Sequence, residues 1–223
     1  YLVRAHAFLF PRPPWMCADM ILLPIYLQTG RGFTAFEAGL ILLPGAVINA
    51  FLSPVTGKLY DRFGAKPLFI TGLLFVLPAM WAVTDLASTP SFLFLTIRTI
   101  ILRIGLSFIT MPLNTAGLNA LPKELTNHGS AVNNTVRQIA GAIGTAVVMT
   151  IFTAQAAVHT IKLSPSELQA SPTLPSMFGA SDAYYFMMII ALIALVLTLF
   201  LPQKKKAIQT AAETRNMLKN KRR

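Results

Sequence analysis

Charged residues are scarce in this chain, and their scarcity excludes most soluble protein classes. Asp, Glu, Lys and Arg make up 12% of its 223 residues, whereas hydrophobic residues make up 54%. A soluble domain of this length usually carries about twice that charged fraction. The net charge of +11 could also indicate a nucleic-acid binder, but the basic residues punctuate apolar runs instead of clustering on one water-exposed face. The composition therefore indicates a membrane protein, and we expect no nucleic-acid partner.

Cysteine and histidine are also few. The single cysteine, Cys17, permits no intrachain disulfide. The histidines His6, His128 and His159 do not form a helical pair, and the last two fall on opposite sides of the predicted membrane. We therefore expect no metal site.

The chain has only eight acidic residues, so few carboxylates are available to bind and release protons inside the membrane. Glu37, Asp85 and Asp182 all fall at the predicted outer ends of membrane spans. Asp19 alone could lie deeper, where burial would suit a carboxylate that binds and releases protons. Asp19 is therefore the candidate proton site, although the essential proton carrier could lie outside this chain.

Long hydrophobic runs are abundant. A hydrocarbon core of about 30 Å needs roughly 20 helical residues. Five runs meet or nearly meet that length. A sixth run is shorter, because prolines just upstream of it oppose a regular helix. We therefore predict an all-α integral membrane half-bundle of six helices whose first helix is short or damaged. The predicted spans are about 15–28, 37–57, 67–86, 91–112, 134–158 and 182–202, between an irregular segment 1–14 and a basic tail 203–223.

The Lys and Arg residues fall mainly on one side of these spans. With six spans both termini share a side, and that side also receives the charged segment 58–66 and Lys123, whereas the other side receives only Arg31 and Lys162. The positive-inside rule therefore predicts that both termini are cytoplasmic. We interpret the tail as solvated and disordered, with contact to anionic lipid as the alternative. The Ser- and Pro-rich connection 159–181 predicts an irregular external loop.

A polar stripe runs along the 91–112 span. Arg103, Ser107 and Thr110 follow i, i+4, i+7 spacing, and Asn114 continues the stripe, so all four are candidates for lining a transport pathway. Arg103 falls near the expected bilayer centre, where a charge is costly; it either lines the pathway or forms an ion pair with a span absent from this chain. Arg98 lies about 140° away around the helix, and we expect it to extend to the membrane interface.

A second set of polar residues lies at the start of the 134–158 span. Asn133, Arg137 and Gln138 are further candidates for lining the pathway. Arg137 is only about one turn inside the span, so the alternative for it is an anchor at the cytoplasmic boundary. Gly141 and Gly144 follow near the same face, and small residues allow another helix to approach closely. We expect the two glycines to pack against a helix, with ligand contact as the alternative.

Two features stand out in the 37–57 span. Pro44-Gly45 and Pro54 predict a bend, which could be either a gating element or a static packing kink. Asn49 is a lone polar side chain between them and is another candidate for lining the pathway.

The segment 57–67, Gly-Lys-Leu-Tyr-Asp-Arg-Phe-Gly-Ala-Lys-Pro, lies between two long apolar runs. Its charges cannot lie in hydrocarbon, and its glycines allow a tight backbone, so it predicts a charged turn at the membrane surface. Gly57, Asp61, Arg62, Gly64 and Lys66 match the cytoplasmic G-x-x-x-D-R-x-G-x-[RK] signature of the major facilitator superfamily, which the segment resembles. The resemblance implies a gating role for Asp61 and Arg62; the alternative is that they only cap helices and fix topology.

Four further stretches, 23–28, 38–45, 111–122 and 134–145, resemble the C-terminal half of fourteen-span EmrB/QacA-type drug:proton antiporters, including lincomycin-resistance exporters of bacteria. The resemblance implies a multi-pass protein of the bacterial inner membrane that exports small amphipathic or cationic compounds. It implies a proton gradient and no cofactor. The expected partners are the lipid bilayer, these compounds and the missing N-terminal half of the transporter. Because the chain begins with Tyr1, we expect it to be a fragment.

Two other functions remain open at this point. A nonconducting remnant or interaction subunit would fit the missing half and the damaged first span. An intramembrane enzyme is disfavoured, because the sequence has neither a paired intramembrane His/Glu metal motif nor a G-x-S-x-G nucleophile elbow.

Overall fold

The computed structural model of the chain describes residues 15–84, 91–119 and 126–200. The predicted irregular segment 1–14 and the basic tail 203–223 lie outside the described residues. Within the described ranges the regular elements are helices. They are α1 Trp15–Ile25, which continues into a π-helical segment Tyr26–Gly30, then α2 Ala35–Phe63, α3 Ala65–Thr84, α4 Phe92–Asn119, α5 Thr126–Lys162, α6 Pro165–Ala170 and α7 Leu174–Phe200.

Five of these helices, α2 to α5 and α7, are long and apolar enough to cross a membrane. The first helix, α1, has 11 residues and contains Pro24. The predicted all-α half-bundle with a short first helix is therefore confirmed. Hydropathy finds such spans readily, because every backbone group of a spanning segment must be satisfied within a helix.

The helices extend beyond the apolar runs, so the charged turn predicted at 57–67 and the irregular loop predicted at 159–181 are partly wrong, and α5 is longer than its predicted span. Helix α2 continues through 57–63, which were predicted to begin the charged turn. Helix α5 begins at Thr126, well before the predicted residue 134. The predicted irregular connection 159–181 contains the end of α5, all of α6 and the first turns of α7. Hydropathy reports only the length that lies in lipid, whereas a helix continues into water until a cap or a glycine ends it.

Local signals account for the ends of α2 and the start of α6. Thr34 caps α2 with a reciprocal box, in which its backbone N–H donates to the Glu37 carboxylate at 2.8 Å and its hydroxyl accepts from the Glu37 N–H at 3.3 Å. Ser164 and Glu167 form the same box at α6. Gly64 ends α2 with φ +79°, a conformation that side-chain-bearing residues rarely adopt.

The bundle is built around α3 and α4. Helix α4 packs against α2 and α3, α3 also packs against α7, α7 packs against α5, and α5 packs against α1. In the most apolar stretch of each helix, half of the residues are buried in α3 and in α4, compared with 17% in α2 and 22% in α5. The outer helices α2 and α5 therefore leave long faces uncovered.

Candidate functional site

The charged segment is a helix end followed by a break. Asp61 and Arg62 lie in the last turn of α2 and are exposed. Among the described residues neither forms an ion pair. Gly57 is helical with open space beside it. Gly64 has a positive φ, which ends α2 and allows α3 to begin at residue 65. The break holds the two charges at the end of the bundle where α2 meets α3.

Lys66, the last residue of the signature, joins this end to another helix. Its ammonium group donates a hydrogen bond to the backbone carbonyl of Leu199 at 2.9 Å. A cation is favoured there, because the last carbonyls of a helix are unpaired and carry the negative end of its dipole. The signature therefore binds the start of α3 to the end of α7.

The predicted polar stripe on α4 meets α2. Ser107 is buried and donates a hydrogen bond to the amide oxygen of Asn49, so two candidate pathway residues touch each other. Arg103 is half-buried, and its side-chain stem lies against Gly45. Thr110 and Asn114 are also half-buried on α4.

The candidate residues of α5 divide into two groups. Arg137 donates a hydrogen bond to the side chain of Asn134 at 2.8 Å, on a part of the helix where Gln138 is exposed and Asn133 is half-buried. Gly141, in contrast, is buried against α1. A Cβ atom placed there would lie 2.9 Å from the sulfur of Cys17, so α1 approaches α5 because this residue has no side chain. Gly144 is buried as well.

A buried ionic cluster lies where α1, α3, α4 and α7 meet. Asp19 of α1 and Arg98 of α4 are 0% and 2% exposed, and their nearest charged atoms are 3.8 Å apart. Tyr184 of α7 donates a hydrogen bond from its hydroxyl to Oδ1 of Asp19 at 3.1 Å. Arg98 also donates from Nε to the backbone carbonyl of Ala79 on α3 at 2.8 Å. Four helices thus contribute to one polar site inside an apolar core.

The prediction that Arg98 extends to the membrane interface is wrong. Its guanidinium group lies inside the bundle, 4.8 Å from the centre of the Tyr184 ring, where a cation is attracted to the aromatic face. An opposite charge on α1 and a carbonyl on α3 hold it there, and neither is visible from the sequence around Arg98. An arginine and an aspartate in separate apolar runs were the available signal, because charges inside membrane helices usually pair.

Part of the cluster has no hydrogen-bond partner among the described residues. The atoms concerned are Oδ2 of Asp19 and both terminal nitrogens of Arg98. Buried polar atoms are nearly always satisfied, so such atoms commonly mark a functional group or a place for water. Chemically, a buried carboxylate with a free oxygen can take up a proton.

A second, more exposed pair joins α5 to α7. His159 Nε2 lies 3.2 Å from Oδ2 of Asp182, and the imidazole ring stacks on Phe178 with centroids 4.8 Å apart. The pair connects the last turn of α5 to the early part of α7, at the end of these helices opposite to Lys66. Within the described residues no three His, Cys, Asp or Glu side chains are arranged to hold a metal ion.

Comparisons with known proteins agree with this architecture. Residues 14–145 match the family model described as Major Facilitator Superfamily. The chain is 41% identical over 191 residues to the lincomycin resistance protein LmrB of Listeria monocytogenes, covering 84% of this chain and 40% of that protein. LmrB of Bacillus subtilis is also 41% identical, over 84% of this chain and 39% of its own length. The multidrug export protein EmrB of Escherichia coli is 28% identical over 72% of this chain and 31% of its own.

The chain therefore spans about two fifths of the length of the LmrB proteins that it resembles. The family match covers more than half of the chain and includes the signature segment and the buried cluster's Asp19 and Arg98. Together with the membrane-length helices, it shows a multi-pass membrane protein and excludes the enzyme alternative. This chain belongs to the Major Facilitator Superfamily, a superfamily of transporters.

Proposed function

We propose that this chain is the C-terminal half-bundle of a proton-driven exporter of small amphipathic or cationic compounds in the bacterial inner membrane. The observation that carries the proposal is the 41% identity to lincomycin resistance proteins over 84% of the chain. The similarity to a multidrug export protein over 72% of the chain supports the same activity.

A second half-bundle is part of the proposal, because α2 and α5 have uncovered faces. The α2 face is apolar and follows helical spacing, so it fits lipid or another apolar helix. Its exposed residues are Phe36, Leu40, Leu43, Val47, Phe51 and Val55. The α5 face is also apolar, with exposed Val132, Val136, Ile139 and Ile143, whereas Gln138 lies well around the helix from it. In alternating access, two half-bundles rock about a site between them, so these uncovered faces would meet lipid or the second half-bundle.

The drug pathway in this proposal runs along the polar side of α4 and α5. Arg103, Thr110 and Asn114 on α4 are half-buried, so they combine polar groups with access from outside the bundle. Arg137 and Gln138 on α5 offer further hydrogen-bond donors. Polar groups at membrane depth usually face a water-filled path or a partner, and lipid contact would be costly.

The direction of insertion follows from charge. In the short loops, Lys58, Arg62, Lys66 and Lys123 fall on one side of the membrane and Arg31 and Lys162 on the other, which supports a cytoplasmic position for the α2–α3 junction. Both termini of the chain then lie in the cytoplasm. Asp61 and Arg62 become a gate at the cytoplasmic mouth, where pairing with the second half-bundle in one access state would favour that state.

Efflux from cells tests this function. A drug-sensitive bacterial strain would express this chain alone or the complete polypeptide encoded by its reading frame. Lincomycin susceptibility and ethidium accumulation would be measured with and without a protonophore. We expect the complete polypeptide to lower ethidium accumulation and the protonophore to abolish the difference. Equal accumulation in expressing and empty cells, with membrane insertion verified, would contradict export and favour a nonconducting role.

A further inference from the structure

Burying the cluster of Asp19, Arg98 and Tyr184 inside the bundle costs desolvation free energy. Both charges are removed from water, and a carboxylate and a guanidinium 3.8 Å apart compensate each other incompletely. Packing alone could be achieved with apolar side chains. Ionisable groups at such positions in membrane helices commonly serve ion or proton movement.

Arg98 is held by groups that do not depend on the charge of Asp19. Its Nε donates to the Ala79 carbonyl at 2.8 Å, and its guanidinium lies over the Tyr184 ring. Neither attachment involves the carboxylate. Asp19 can therefore gain a proton while the arginine keeps a carbonyl and an aromatic face for its charge.

The carboxylate of Asp19 has one occupied and one free oxygen. Oδ1 accepts a hydrogen bond from the Tyr184 hydroxyl at 3.1 Å, whereas Oδ2 has no partner among the described residues. Oδ2 is thus the oxygen at which a proton can be added without breaking an existing hydrogen bond.

The helix that carries Asp19 has two interruptions of its regular geometry, although its residues Ala18, Leu22 and Leu23 are buried in the core. Helix α1 contains Pro24 and continues into the π-helical segment Tyr26–Gly30, and both features permit bending. Its main neighbour is α5, reached through Gly141. Asp19 provides the polar attachments of α1 to α4 and α7.

We propose that Asp19 is the carboxylate that couples transport to protons, and that Arg98 and Tyr184 position it so that proton uptake releases α1 from α4 and α7. One proton added at Oδ2 removes one negative charge and weakens the attraction to Arg98. Loss of that proton restores the attachment. The inference rests on the proposed proton-driven export and names the site that would perform the coupling.

The groups that face Asp19 are few. Helix α4 contributes Arg98, α7 contributes Tyr184, and α3 contributes the Ala79 carbonyl through Arg98. Within the described residues, neither α2 nor α5 places a charged side chain within ion-pair distance of Asp19. The response of this site to pH is therefore a property of these three side chains.

Infrared spectroscopy tests proton binding without requiring transport. The purified complete polypeptide in detergent would be titrated while the carbonyl band of protonated carboxylic acids is followed. We expect one band to disappear in Asp19→Asn and to remain in Asp182→Asn, a matched control at the partly exposed end of α7. An unchanged spectrum in Asp19→Asn would overturn the inference, whether or not the protein exports drugs.

Transport variants test coupling. Asp19→Asn is expected to abolish proton-driven ethidium efflux while drug exchange without a proton gradient is retained. Tyr184→Phe keeps the ring beneath Arg98 and removes only the hydroxyl, which favours the charged carboxylate. We therefore expect its efflux profile to shift to higher pH, and we expect no shift for Tyr185→Phe, the exposed neighbour.

A double variant separates coupling from structure. Asp19→Asn combined with Arg98→Gln removes both charges, so neither is left buried and unpaired. We expect it to insert normally and still lack proton-driven efflux. Recovery of proton-driven efflux in the double variant would show that the pair is only structural and would overturn the inference. Absence of proton-driven efflux in the unmodified protein would instead contradict the proposed function, leaving the infrared titration to decide this site.

Discussion

Gly72 of α3 and Gly105 of α4 touch backbone to backbone. A Cβ atom added to either glycine would lie 2.7 Å from the carbonyl oxygen of the other, closer than van der Waals contact allows. Small residues at such crossings let membrane helices gain packing energy where the hydrophobic effect between them is weak. This contact fixes the spacing of the two central helices.

Gly105→Ala is predicted to destabilise the bundle. The added methyl would meet the Gly72 carbonyl, the Val76 side chain at 2.8 Å and the Phe75 Cβ at 3.0 Å, so backbone must move. Overpacking of this kind costs about 1–3 kcal/mol. Thermal unfolding in detergent would show a lower midpoint. Gly39→Ala is the matched control, because Gly39 is helical with open space beside it; equal midpoints for the two variants would contradict the prediction.

The two glycines of the signature are predicted to differ in their tolerance of alanine. Gly64 has φ +79° and ψ −179°, a region that is essentially restricted to glycine. Gly64→Ala should therefore cost about 1–3 kcal/mol and disturb the α2–α3 junction. Gly57→Ala occupies open space on a helix and should leave the unfolding midpoint unchanged or slightly raised. Detergent unfolding of the two variants side by side would decide the matter, and similar losses would refute this difference.

The helices could be predicted from the sequence because their causes are local. Hydropathy identified the membrane-length helices, and Pro11, Pro13 and Pro14 explained why the first was predicted to be short. The extensions beyond the apolar runs were missed because caps such as Ser164 act in water, where hydropathy carries no information. The π-helical continuation of α1 has no sequence signal that we recognise.

The buried cluster could be predicted only in part, because its contacts are not local. Asp19 was a candidate from its depth alone, but its partners lie 79 and 165 positions further along the chain. From the sequence alone, the side chain of Arg98 could face either lipid or the bundle interior. The helices that pack beside α4 determine which of the two it faces. Tyr184 stands next to Tyr185, and nothing in the sequence shows which of the two faces inward.

The hydrogen bond between Ser107 and Asn49 is predicted to make a modest contribution to the packing of α4 on α2. Interhelical hydrogen bonds in membranes average about 0.6 kcal/mol and reach about 1.7. A double-mutant cycle with Ser107→Ala and Asn49→Ala, measured by detergent unfolding, should give a coupling energy in that range. Additive losses would show that the two side chains act separately. If ethidium export falls in both single variants while stability changes little, the pair also belongs to the pathway.

The short helix α6 is predicted to loosen in acid. The Ser164 hydroxyl and backbone N–H donate hydrogen bonds to the Glu167 carboxylate and hold its pKa below the usual glutamate value. A lowered folded-state pKa contributes stability above the unfolded value, and that contribution is lost as pH falls through the lowered value. A spin label attached to the cysteine of a Gln169→Cys variant, made in a Cys17→Ser background, should become more mobile as the pH falls through the lowered pKa of Glu167. Glu167→Gln should remove the pH step; persistence of the step in that variant would assign it to another group.

Asp61 is predicted to act through its charge at the C-terminal end of α2, which the proposed orientation places in the cytoplasm. Losing one exposed pairing interaction of about 1 kcal/mol would change the balance between access states about fivefold. Asp61→Asn should therefore lower ethidium efflux by about that factor while expression and insertion are retained, and Asp61→Glu should keep most of the activity. Lys58→Gln is the matched control, because it changes one exposed charge a turn earlier without altering a signature position. Normal efflux in Asp61→Asn, or an equal loss in Lys58→Gln, would leave the segment only a topological role, since the distribution of Lys and Arg residues orients the helices.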